Sequence, residues 1–281
     1  MKDYNLGIYE KAMPNSLSIE EKLSLAKKTG FDYMELSIDE SLEKLHRLDY
    51  NLNDLKNIRN SIIESGIYIN SLCLSAHRKF PMGSHDENIR DLSLKILHRA
   101  LDLSCILGIR IIQLAGYDVY YEKGDETSRE YFKQSLNYAT SLASSKGIIL
   151  AIETMETPFI DTVEKAMYYV RLINSPYLGV YPDIGNLTNA SLIYNNSITE
   201  DISIGKGHIF ASHLKETKPG IYRDLNFGNG HTKYISCIRE LYSQGVRMFT
   251  GEFWNNDKDN SIEKLLYSCN FLREKIHEAI N

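Results

Sequence analysis

Four side chains able to hold a metal ion fall at regular intervals in the second half of this 281-residue chain. Glu153 closes the run Ile148-Ile-Leu-Ala-Ile-Glu153, and Asp183 closes Val180-Tyr-Pro-Asp183. His213 closes Phe210-Ala-Ser-His213, and Glu252 closes Phe249-Thr-Gly-Glu252. They are separated by 30, 30 and 39 residues, close to one strand-plus-helix unit each time. One carboxylate after an apolar run is ordinarily a helix cap or a solvated loop residue. Four consecutive runs ending this way point to a common site. Two Glu, one Asp and one His form a hard, oxygen-rich set with one imidazole. Such a set suits Mn²⁺, Mg²⁺ or Co²⁺, admits Zn²⁺, and is not a thiolate site. Nearby, Lys215 follows His213 by two residues and so falls on the same strand face. Asn186, in Asp183-Ile-Gly-Asn186, suits either a substrate hydroxyl or a plain turn.

These residues need a scaffold that brings successive strand ends round one axis. The strand candidates are residues 6–9, 33–37, 67–74, 109–114, 148–153, 178–181, 209–214 and 248–252. They are short and rich in Ile, Leu and Tyr, as expected of parallel strands buried on both faces. Between them run helical stretches with legible ends. The first is predicted to start at Ser18, with Glu21 completing a capping box and Leu17 as a hydrophobic staple, and to stop at Gly30. Stretches 88–107, 127–146, 61–65 and 241–244 end at Gly108, Gly147, Gly66 and Gly245, each just before a strand. Eight units of about 35 residues predict one (β/α)8 TIM barrel, a single domain over residues 1–281. The rival, a doubly wound sheet with a dinucleotide site, wants a GxGxxG turn after the first strand. The chain has Tyr9-Glu-Lys-Ala-Met-Pro14 there.

Composition agrees with a folded domain. The chain is 43% hydrophobic and 25% charged, which excludes a disordered segment. A net charge of -5 argues against nucleic-acid and anionic-membrane binding. No apolar run approaches a membrane span and no secretory leader is seen, so a cytoplasmic location is expected. Cys73, Cys105, Cys237 and Cys269 are scattered, as reduced and mostly buried thiols would be.

With these residues in hand, the sequence resembles the xylose-isomerase-like barrels. Within them it resembles the L-ribulose-5-phosphate 3-epimerases (L-xylulose-5-phosphate 3-epimerases) of ascorbate catabolism. The likeness runs through Leu6-Gly-Ile-Tyr-Glu-Lys11, Met34-Glu-Leu-Ser-Ile-Asp-Glu40, Cys73-Leu-Ser-Ala-His-Arg-Lys-Phe-Pro81 and Ile112-Gln-Leu-Ala-Gly-Tyr-Asp-Val-Tyr-Tyr-Glu122. It continues through Tyr181-Pro-Asp-Ile-Gly-Asn186, His213-Leu-Lys-Glu-Thr-Lys-Pro-Gly220 and Phe227-Gly-Asn-Gly230. The resemblance implies an isomerase-class enzyme that interconverts L-xylulose 5-phosphate and L-ribulose 5-phosphate through a metal-stabilised enediolate. One divalent ion (Zn, Mn, Mg or Co) would be held by Glu153, Asp183, His213 and Glu252. Glu153 and Glu252 would be the opposed acid/base pair, and a homodimer is implied.

A phosphate would need its own anchor. One candidate is the backbone of Gly228 and Gly230, ahead of a helix starting near Thr232. The other is His77-Arg78-Lys79, which reads equally well as a solvated basic loop. Related free-ketose epimerases carry a His where this chain has Asn186 and a Glu where it has Phe159, so their sugar contacts are not carried over. Hexulose-6-phosphate isomerases and other 1,2-isomerases or dehydratases of the same barrel are the alternative. An apurinic endonuclease would need a His-rich mouth, yet of eight His, His46, His98 and His277 fall in helical stretches. A non-catalytic sugar-phosphate binder would have less reason to keep the full ligand set. Trp254, the one Trp, either walls the pocket or packs at a subunit interface.

Overall fold

The computed structural model describes residues 3–256 and 261–281. All eight apolar runs are strands: β1 (Asn5–Tyr9), β2 (Tyr33–Ser37), β3 (Tyr68–Leu74), β4 (Ile111–Ala115), β5 (Ile149–Glu153), β6 (Leu178–Tyr181), β7 (Ser212–Lys215) and β8 (Met248–Glu252). They pair in parallel in the order β6-β5-β4-β3-β2-β1-β8-β7. The ring closes between β6 and β7 through isolated bridges, Val180 to Ile209 and Asp183 to His213. Pro182 explains why no regular ladder forms there. It has no N–H to give, although its carbonyl takes the His213 N–H at 2.9 Å. The seventh strand therefore begins at Ser212, later than the apolar run suggested. The molecule is a (β/α)8 TIM barrel.

The helices are α1 (Ile19–Lys28), α2 (Leu42–His46), α3 (Leu52–Ser65), α4 (Glu87–Leu107), α5 (Glu126–Ser145), α6 (Val163–Ile173), α7 (Ile184–Tyr194), α8 (Ile198–Ile204), α9 (Tyr234–Ser243) and α10 (Ser261–Ile280). The Ser18–Glu21 capping box forms, with reciprocal hydrogen bonds of 3.2 and 2.8 Å. Gly30, Gly66, Gly108, Gly147 and Gly245 all sit at φ between +67° and +95°, the left-handed region that lets a helix turn into a strand. Two insertions were not marked by the periodicity: α2 in the β2–α3 connection, and the α7–α8 pair between β6 and β7.

Strand side chains alternate. Leu6, Ile8, Met34, Leu36, Leu150 and Ile152 face the helices in the main core. The other set faces the bore, and its upper part is polar: Glu35, Ser71, Gln113, His213 and Thr250 are fully buried there. Below them Ile111, Ala151, Tyr181 and Ala211 make an apolar plug. Gly7 makes room for this arrangement, because a Cβ there would lie 2.2 Å from the Tyr33 ring. Tyr33 instead crosses the bore and meets Thr250 Oγ1 at 2.7 Å. Cys73, Cys237 and Cys269 are buried and Cys105 is exposed. Among the described residues no helix is long and apolar enough to cross a membrane.

Candidate active site

Consecutive strands β5 to β8 deliver the four ligand candidates to one end of the barrel. Glu153 and Glu252 are the last residues of β5 and β8, His213 lies in β7, and Asp183 caps α7. One donor atom from each lies within 4.8 Å of all the others, and all four residues are buried. Asp183 divides its oxygens between two tasks. Oδ1 accepts the N–H groups of Gly185 and Asn186 at 2.8 and 3.1 Å, capping α7, which leaves Oδ2 for the centre. Glu153 takes the Gln113 amide on Oε2 and turns Oε1 to His213 Nδ1 at 2.6 Å.

The cluster is under-compensated. Asp183 and Glu252 are buried carboxylates that share one cation besides His213. Lys215 forms ion pairs with both carboxylates, at 3.3 Å to Glu252. Three buried carboxylates facing one ammonium and one imidazole fit a divalent cation, and the oxygen-rich set with one imidazole has the right chemistry. The surroundings drive the two Glu apart. Burial pushes Glu153 above the usual carboxylate range, outweighing His213. Burial would also raise Glu252, but Lys215 and His213 hold it down to about 2. Burial alone would lower His213, and Glu35, Glu252 and Glu153 overcome it and raise the imidazole well above its ordinary value.

Over this centre lies a small cavity of about 60 Å³. Its wall includes Tyr9, Lys11, Cys73, Arg78, Glu156, Lys215, Tyr222, Arg223 and Trp254 together with Glu153 and Glu252. The remaining sequence candidates divide here. Lys215 and Arg78 reach the cavity, and Trp254 forms part of its wall with Arg223 stacked 5.3 Å over its ring. His77 is corrected to a core residue. It is buried, with Nε2 3.2 Å from the Ser93 carbonyl of α4, and burial lowers its pKa to about 4. Lys79 is exposed and lies against the Phe80 ring, away from the cavity wall. Asn186 is buried and donates to the Thr154 carbonyl at 2.8 Å, which ties α7 to the end of β5.

Gly228 and Gly230 line a different cleft, beside α9 and α10. Their loop wraps a protein carboxylate: Glu216 accepts the N–H groups of Gly228, at 2.8 Å, and of Thr217 and Thr232, at 3.2 Å each. The anion nest expected from the sequence is therefore filled from within the chain.

The sequence profile of the xylose isomerase-like TIM barrel family matches residues 23–275. SgbU of Haemophilus influenzae, whose name carries L-ribulose-5-phosphate 3-epimerase activity provisionally, is 42% identical over 288 residues, covering 99% of each chain. L-ribulose-5-phosphate 3-epimerase UlaE of Shigella flexneri is 37% identical over 279 residues, covering 99% of this chain and 97% of that one. The chain belongs to the L-ribulose-5-phosphate 3-epimerase family. It is a carbohydrate epimerase, an enzyme of the isomerase class. Among solved structures, D-allulose 3-epimerase from Methylomonas sp. in complex with D-allulose aligns with a TM-score of 0.77 over 98% of each chain. At 17% identity that likeness speaks for the fold alone.

Three features of this epimerase escaped the sequence reading. Glu35 and Gln113 sit inside apolar strands and support His213 and Glu153 from the bore. Their signal was a polar residue in mid-strand, between neighbours that pack on the helices. Lys11 and Arg223 bring further positive charge to the cavity. Glu156 gathers the Tyr117 hydroxyl at 2.7 Å and Arg223 at 3.5 Å.

Proposed function

We propose that this epimerase inverts C3 of a ketopentose phosphate, interconverting L-xylulose 5-phosphate and L-ribulose 5-phosphate. The single observation that carries the mechanism is the pair Glu153 and Glu252. They are two buried carboxylates from strands three units apart, converging on one under-compensated centre. Glu153, Asp183, His213 and Glu252 would hold a divalent cation, Zn²⁺, Mn²⁺, Mg²⁺ or Co²⁺. When bound, that cation supplies Lewis acidity for the negative charge that develops as the C3 proton leaves. Glu153 and Glu252 approach C3 from opposite faces, so one removes the proton and the other returns one to the opposite side. Gln113 holds one Glu153 oxygen, which leaves the other free to work. Lys215, against Asp183 and Glu252, offers a positive charge beside the developing oxyanion. The cavity wall of Tyr9, Tyr222 and Trp254 keeps bulk water from the carbanion-like centre.

Arg78 supports a phosphorylated substrate. Its guanidinium stacks 4.9 Å over the Tyr120 ring at the cavity wall, and its Nε is a buried donor without a hydrogen-bond partner among the described residues. Lys11 and Arg223 flank the same opening. The test is turnover of L-xylulose 5-phosphate in D₂O by metal-analysed protein. Deuterium should enter at C3; entry at C1 instead would make the enzyme a 1,2-isomerase. Arg78→Met should lower kcat/KM about 10–100-fold for the phosphorylated ketose, the range of a lost charged hydrogen bond, and leave the free ketose unchanged. Equal losses on both substrates would remove Arg78 from phosphate recognition.

A further inference from the structure

Glu35 lies in the middle of β2, fully buried in the bore, and is not part of the cavity wall. Its Oε1 is 2.6 Å from His213 Nε2. Its Oε2 accepts the Ser71 hydroxyl at 2.7 Å and the Tyr181 hydroxyl at 2.9 Å. Oε2 accepts both hydroxyls, so it orders every hydroxyl behind it. Tyr181 spends its proton on Glu35 and must accept from Thr250, 2.8 Å away. Thr250 must in turn accept from Tyr33, 2.7 Å away. The run Tyr33, Thr250, Tyr181, Glu35 therefore has one direction, and it ends facing the imidazole.

A carboxylate this deep is costly unless its oxygens are fully bonded. Here three strands, β3, β6 and β7, supply those bonds. A merely structural polar contact could be met by a neutral side chain. What a carboxylate adds is an obligatory N–H on the ring nitrogen it faces. We infer that Glu35 is a positioning residue that fixes His213 with Nε2 protonated, leaving Nδ1 as the lone-pair donor to a cation held with Glu153, Asp183 and Glu252. Nδ1 is the nitrogen turned to that cluster, 2.6 Å from Glu153 and 3.5 Å from Glu252. This assignment rests on the metal-dependent reading above. General experience with carboxylate–imidazole–metal arrangements sets the expected effect.

The experiment compares wild type, Glu35→Gln, Glu35→Asp and Ser71→Ala, first stripped of metal and then titrated with Zn²⁺ against a chromophoric chelator. Glu35→Gln should weaken Zn²⁺ binding about 10–100-fold. In the zinc-loaded variant the ¹⁵N signals of His213 should lose the pattern of a protonated Nε2 beside a metal-bound Nδ1. The Co²⁺ visible spectrum should shift with it. Glu35→Asp keeps the carboxylate and should recover part of the affinity. Ser71→Ala removes one donor from Glu35 and touches no ligand, so it should give a smaller loss in the same direction. It carries the test alone if Glu35→Gln does not fold. Zn²⁺ affinity within twofold of wild type in folded Glu35→Gln, with an unchanged His213 pattern, would overturn the assignment. If only Ser71→Ala folds, wild-type affinity and pattern there would overturn it too. Failure of the wild type to bind any cation would overturn the metal-dependent reading itself, and this assignment with it.

Discussion

Glu10 and Glu252 make an instructive pair. Glu10 directly follows β1 and Glu252 ends β8, and these strands are neighbours in the barrel. Both carboxylates are buried, and cations hold both down to about 2 although burial alone would raise them. Around Glu10 the cations are Arg47, Lys22 and Lys44, and Oε2 also takes the Ser37 N–H at 2.9 Å. Both oxygens are bonded, and positive charge is in excess. Around Glu252 the acids Glu153, Asp183 and Glu35 outnumber Lys215 and His213. A depressed carboxyl pKa is thus common to both sites and does not identify either. An excess of buried negative charge does, because it calls for a ligand of the opposite sign. The Glu10 site is complete and pins the loops after β1 and β2.

The largest effect should come from the open cluster. Glu153→Gln and Glu252→Gln each keep an oxygen but lose the titrating carboxylate, so net epimerisation should fall by ~10²–10⁴. The two losses should differ in the half-reaction. With one epimer the surviving Glu still removes the C3 proton, so label washes out without inversion. With the other, the missing base is the first one needed and no exchange occurs. Metal content is measured alongside, because a ligand lost with its base would mimic this defect. Equal exchange of both epimers by both metal-loaded variants would replace opposed bases with a single base.

Stability should respond the other way round. Glu10→Gln strands three buried cations, which costs about 3–5 kcal/mol, while metal content of the folded protein stays normal. Asp183→Asn retains an oxygen to cap α7 and relieves crowding among the acids. The metal-free variant should therefore melt at or above the metal-free wild type, yet fail to load metal. Thermal melts and metal analysis of both variants decide the matter. Unfolding of Asp183→Asn, or an unperturbed Glu10→Gln, would erase the distinction between a structural and a ligand-seeking cluster.

How much of this was legible follows from where the determinants lie. Strand ends and helix caps are local features. Glu153, Asp183, His213 and Glu252, and the Gly residues before strands, were accordingly readable from short windows. The bore was not. In a strand buried on both faces, nothing local tells the bore side from the helix side, so Glu35 and Gln113 looked like interruptions of apolar runs. Long-range partners hid the rest. The Gly228 N–H looked free for an anion until Glu216, twelve residues earlier in the chain, took it. His77 looked like part of a basic loop until the fold set its ring against Ser93.

The smallest effect concerns acid, and it separates a satisfied ion cluster from a satisfied neutral group. Burial lowers His77 from 6.5 to about 4 in the folded chain. The unfolded chain then binds the proton first, so stability is lost as pH falls from 6.5 towards 4, by up to roughly 3 kcal/mol. Glu10 has its folded pKa depressed to about 2 against an unfolded value of about 4.3. Its contribution is present above about 4.3 and is lost as pH falls from there towards 2. In the metal-free protein the His77 and Glu10 declines therefore fall in two windows that barely overlap, the first set against the opposite contribution of Asp183, whose pKa burial raises to about 7. His77→Gln, which keeps an N–H within reach of Ser93, should flatten the first decline and leave the second in place. Wild-type and His77→Gln curves that run parallel from pH 7 to 4 would mean that His77 is already protonated in the fold. That would return it to the cationic group at the cavity mouth, beside Arg78, where its neighbours in the sequence had suggested it belonged.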